Sequence, residues 1–172
     1  AFAALPPEHE HYHDHALALG VLSGGMGARL FTEVREKRGL VYSVAAVGRT
    51  VRRFGYTLAY AGTTTERADE TLAVLLAELR RLGEGVSAAE LERARPGLLS
   101  QLVMQGESSG ARAAALARDT FLLGRPRSLH ELQASLVSRS AASVNGYLRE
   151  HYAPRFSVLT LGAKPLQEVA LA

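Results

Sequence analysis

Two strand-like runs, residues 40–51 (LVYSVAAVGRTV) and 54–61 (FGYTLAYA), follow one another across Arg52-Arg53, with helical patterns on both sides. Two residues can join antiparallel neighbours but are far too few for a parallel crossover, so the pair reads as an antiparallel hairpin. A third apolar run, residues 1–5, is stopped by Pro6-Pro7, and residues 156–161 (FSVLTL) read as a closing strand. The order is therefore strand, two helices, two strands, several helices and one strand. Helices grouped against a few antiparallel strands predict an α+β layer, with an antiparallel sheet covered by helices on one face. Regular βαβ alternation is absent, which disfavours a dinucleotide-binding sheet.

The helices carry their own punctuation. Residues 16–22 are apolar at helical spacing, and Gly24-Gly25 stops them. Residues 28–38 predict an amphipathic helix with Leu30, Phe31 and Val34 on one face, ended by Gly39. Thr64 or Thr65 caps a helix to about Leu82, with Leu72, Leu75, Leu76 and Leu79 as its buried stripe. Ser87 to Glu90 and Ser128 to Glu131 are capping boxes, and Ser140 opens a last helix to about His151. Pro96 predicts a kink or a late start in the helix after Ser87, and residues 106–110 predict a bend or split in it. The length of 172 residues suits one domain, residues 1–172. A strand that begins at the first residue, and a tail that runs out after the last strand, are expected of a fragment of a longer two-domain chain.

Composition narrows the function classes. With no cysteine, disulfides, thiolate metal sites and cysteine nucleophiles are excluded. The 20 basic residues are nearly all arginines, dispersed among glutamates, and aromatics make up only 6% with no Trp, so nucleic acid is not an expected partner. No apolar run approaches the roughly 18 residues of a membrane span, and the opening lacks a signal-peptide layout. A soluble protein of bacterial cytoplasm or periplasm is expected, with the compartment open. The Gly24-Gly25-Met26-Gly27 turn lacks the spacing and lysine of a phosphate loop.

Two stretches could carry chemistry. His9, His11, His13 and His15 are four of the six histidines. Extended, all four point to one face; helical, His11 and His15 pair at i, i+4. Either arrangement can hold a transition metal, against the plainer reading of a solvated, histidine-rich helix entrance. Neither H-x-x-E-H nor H-E-x-x-H occurs there. The second stretch runs from Arg29 to Val44, RLFTEVREKRGLVYSV. On physics alone its Arg35, Lys37 and Arg38 suit a solvated helix C-terminus, and Tyr42 suits a half-buried strand position.

The run GGMGARLFTEVREKRGLVYSV resembles the second-domain signature of the pitrilysin/insulysin and mitochondrial-processing-peptidase family of zinc metallopeptidases. Glu90-Leu91-Glu92-Arg93-Ala94, Glu107-Ser108, Leu123-Gly124-Arg125 and Ser128-Leu129-His130-Glu131-Leu132 fall in the family's order, so the likeness covers nearly the whole chain. The resemblance implies half of a clamshell that closes around an extended peptide, with zinc held by H-x-x-E-H in another domain or subunit and none bound here. It implies catalytic roles for Arg35 and Tyr42, which match the family's arginine and tyrosine seven positions apart. Gly24, Gly25 and Arg29 are expected to border the substrate. Expected partners are an N-terminal zinc-bearing domain or subunit, a peptide and a homo- or heterodimer mate; the fragment alone is expected to be inactive. The alternative on the same fold is a non-catalytic structural or assembly subunit, and a third reading is a small histidine-rich metal-binding module. Ala28 stands where the family commonly has serine, and the HEHYHDH opening is unusual.

Overall fold

The computed structural model describes residues 1–166; the tail at 167–172 lies outside the described residues. The expected hairpin is present. Strand β2 (Val41–Val51) pairs antiparallel with β3 (Phe54–Thr63), and the short β1 (Phe2–Ala4) pairs antiparallel with the other edge of β3, giving the order β1-β3-β2. The turn closes on two residues, and Arg52 takes the left-handed backbone (φ 53°) that matches strand twist in so tight a loop.

Pleating divides the sheet into unequal faces. Val44, Ala46 and Gly48 of β2 lie across from Ala61, Ala59 and Thr57 of β3, and these small residues face the helices. Helix α1 (Tyr12–Ser23) rests there, close enough that a Cβ on Gly48 would meet Leu19 at 3.4 Å. Leu17, Ala18 and Leu22 are wholly buried, so α1 from Leu17 to Leu22 is enclosed on every side and forms the centre of the core. Around it pack α2 (Ala68–Leu82), α3 (Ala88–Glu107), α5 (Leu129–Val137) and α6 (Ala141–His151), while α4 (Ser109–Leu123) packs on α3. On the other face Val47, Leu58, Tyr60 and Tyr42 are exposed.

Local signals set most helix ends. Both capping boxes form: Ser87 and Ser128 each accept from the backbone N–H three residues on, while Glu90 and Glu131 accept from the N–H of their cap residue. Residues 106–110 do split the helix, because Ser108 leaves the helical backbone and caps α4. Pro96 stays inside α3, which starts immediately after Ser87, so no late start occurs. After Thr64 the chain makes one 3₁₀ turn, Thr65–Arg67, before α2, and no threonine side chain caps it.

Two expected elements are also corrected. Residues 28–38 are not a plain α-helix: Phe31–Glu36 forms a π-helix, with the Lys37 N–H donating to Thr32 O at 2.9 Å. Residues 156–161 are not a strand. Ser157 and Ala1 exchange backbone hydrogen bonds of 2.7 and 2.8 Å, but no ladder grows from them. Toward α6 the run meets Pro154, which has no N–H to give, and beyond Ser157 it passes the end of the β1 edge. Leu159 and Leu161 are fully exposed as a result.

Candidate functional site

The residues from Gly24 to Val44 form one continuous device. At the end of α1 a Cβ on Gly24 would fall 2.4 Å from the Gly20 carbonyl oxygen, and Gly25 has φ 145°, so the turn requires both glycines. The following helix anchors itself with Leu30 and Val34, both wholly buried. Its opposite side carries the charges. Lys37 and Arg38 pair with Glu33 at 2.7 and 3.0 Å and hold its carboxyl below the usual carboxylate range. Arg35 is exposed, with its guanidinium 5.3 Å above the Phe31 ring. It makes no hydrogen bond or ion pair among the described residues, so its donors are available.

Gly39 (φ 59°) turns the chain into β2, where Tyr42 occupies a β-bulge: pairing steps from Val41↔Thr63 to Ser43↔Gly62 and leaves Tyr42 as the extra residue. Its ring lies over Gly62, where a Cβ would sit 2.4–2.6 Å from Cζ, Cε2 and Oη. Tyr42 is 66% exposed. The neighbouring Tyr60 hydroxyl raises its phenol above the ordinary tyrosine value. Arg35 and Tyr42 thus stand on either side of the Gly39 reversal, and among the described residues no hydrogen bond joins them. Gly62 escapes a reading that searches for reactive side chains, although a glycine inside FGYTLAYAGT signals close backbone approach.

Gly24 and Gly25 line a shallow open pocket with Gly20, Ala28, Glu90 and Ala94. A second open pocket is bordered by Ser23, Gly25, Met26, Phe31 and Val44, and so shares Phe31 with Arg35. Arg29 points into the protein. It holds Glu90 through Nε at 2.7 Å and Nη2 at 3.0 Å, and Nη2 also donates to Gly85 O at 2.8 Å. This pairing pulls the Glu90 carboxyl down to about 2. Its donors therefore serve the packing of the glycine turn against α3.

The four clustered histidines separate. His15 is buried, shares a 2.7 Å hydrogen bond with the Tyr147 hydroxyl, lies 3.3 Å from Thr57 Oγ1, and is pushed by burial down to about 4. His13 is also held near 4, by burial and then by the charges of Arg127 and Arg139. His11 precedes α1 and shares a 2.9 Å hydrogen bond with the wholly buried Asp14. His9 and His11 gather beside His151, the last residue of α6.

The family profile of the peptidase M16 inactive domain matches residues 1–98. The chain belongs to the peptidase M16 family, as its inactive domain. It is 29% identical over 160 residues to an uncharacterised zinc protease of Bacillus subtilis, covering 91% of this chain and 39% of that protein. To an uncharacterised zinc protease of Mycobacterium tuberculosis it is 31% identical, covering 87% and 35%. The chain thus spans well under half the length of these relatives. Among solved structures, the M16 inactive domain from Pseudomonas fluorescens superposes with TM-score 0.71 at 24% identity, covering 87% of this chain and 37% of that one. A chain of complex III2 from Candida albicans gives 0.77 at 19%, covering 87% and 38%. The expected α+β architecture is the one these neighbours share. No described helix is long and apolar enough to cross a membrane.

Proposed function

We propose that this domain binds an extended peptide and stabilises its transition state for hydrolysis at a zinc held by another domain or subunit. The observation that carries this reading is the exposure of Arg35 and Tyr42 on either side of the Gly39 turn, Arg35 with no hydrogen bond or ion pair among the described residues, while Arg29, Lys37 and Arg38 nearby are all held by carboxylates. A zinc held by the other domain or subunit would supply Lewis acidity and an activated water, and this domain contributes the groups that face the peptide. Tyr42 donates its hydroxyl hydrogen to the oxyanion that develops on the scissile carbonyl, and Arg35 holds a neighbouring peptide carbonyl or orients that phenol. Gly24 and Gly25 let a peptide backbone come close, and the pocket at Met26, Phe31 and Val44 accepts an apolar side chain. Arg29 supports this turn from beneath.

The test is made on the assembled enzyme. Tyr42→Phe and Arg35→Ala each lower kcat by about 10²–10³ with KM and the melting temperature nearly unchanged. Wild-type turnover in both variants would overturn the reading and favour a non-catalytic assembly role on the same fold.

A further inference from the structure

Among the described residues, one group of three potential metal ligands comes together: His11 at the start of α1 with Glu150 and His151 at the end of α6. One ligand atom from each lies within 4.8 Å of the other two. A tetrahedral shell with metal–ligand distances near 2.1 Å needs ligand atoms about 3.4 Å apart. Closing that gap takes side-chain movements of up to about 1.4 Å, and Glu150 and His151 both have solvent in which to turn.

One nitrogen of His11 is already committed. The 2.9 Å contact to Asp14 places the imidazole proton on Nδ1, since the carboxylate only accepts, and leaves the Nε2 lone pair free. Asp14 is itself fixed by Ser143 Oγ at 2.5 Å and Arg139 Nη1 at 3.1 Å. A carboxylate behind a histidine in this way sets the ring's tautomer and direction in metal sites. His9 borders the group, its ring 5.0 Å from that of His151. Its Nδ1, however, accepts the His11 N–H at 3.2 Å.

We infer that His11, His151 and Glu150 bind one divalent transition ion of the Zn²⁺ class, clamping the start of α1 to the end of α6. Two imidazoles and one carboxylate match the preferences of Zn²⁺, and a fourth position stays open to water. The 9–15 histidine run does not reveal this set, because two of its three ligands lie at the far end of the chain and His13 and His15 are turned elsewhere.

Zn²⁺ is titrated calorimetrically into the full chain, counting equivalents taken up beyond any zinc present on purification. The expected result is one saturable equivalent that also raises the melting temperature. His151→Ala removes both effects, Glu150→Gln weakens affinity at least about tenfold, and His13→Ala leaves it unchanged. His151 is part-exposed, so its variant tests the site even where His11→Ala disturbs Asp14 and folding. Uptake of several weak equivalents, or equal loss in His13→Ala and His151→Ala, would show the histidine run acting as a loose chelator and overturn the site.

Discussion

Tyr42 reaches its position because β2 carries one residue more than β3 at the bulge and because Gly62 has no side chain beneath the ring. Both conditions are local and steric. Gly62→Ala forces the ring off its seat, and since a misplacement of about 1 Å costs about 10² in rate, turnover is expected to fall by about that factor. The melting temperature changes little, because the ring is exposed and free to swing outward. Steady-state kinetics beside a thermal melt separates the two effects. The spacing of Arg35 and Tyr42 was legible in the sequence, but the bulge was not. It arises from register, which depends on what the partner strand presents.

At the level of elements, the helix ends marked by a capping serine and a glutamate three residues on form as their sequence predicts, since every atom of that interaction lies within four residues. The π-helix at Phe31–Glu36 had no such signature, because the spacing of Leu30 and Val34 suits an α-helix equally well. Arg29 joins the two kinds of element by holding the Glu90 of a capping box. Arg29→Ala leaves a half-buried carboxylate with the Ser87 cap alone and is expected to cost about 1–3 kcal/mol in urea unfolding at neutral pH. Because the folded Glu90 carboxyl is held near 2, against 4.5 unfolded, its contribution is present above pH 4.5 and lost as pH falls toward 2. Arg29→Ala flattens that acid limb.

Across the whole molecule, His15 ties three elements together, meeting Tyr147 of α6 and Thr57 of β3 from within α1. Its folded pKa lies near 4, below the ordinary 6.5, so between those values the unfolded chain binds more protons than the folded one. Stability is therefore complete above pH 6.5 and falls as pH drops through 6.5 to 4, by about 3 kcal/mol from His15. Denaturant unfolding at a series of pH values reads this slope. His15→Gln removes its share and leaves the part due to His13.

The sequence by itself determined the hairpin, the helix order, most helix ends, the glycine turn and the family, because these rest on short-range backbone preferences and on a contiguous run of residues. Tertiary structure alone decided the sides taken by the histidines, the inward pairing of Arg29 with Glu90, the seat of Tyr42 on Gly62 and the meeting of His11 with His151. Each of these depends on residues distant in the chain that meet only when the elements pack, which no local pattern records. The failed strand at 156–161 has the same cause: its residues have the right chemistry, but a strand exists only where a neighbour offers hydrogen bonds.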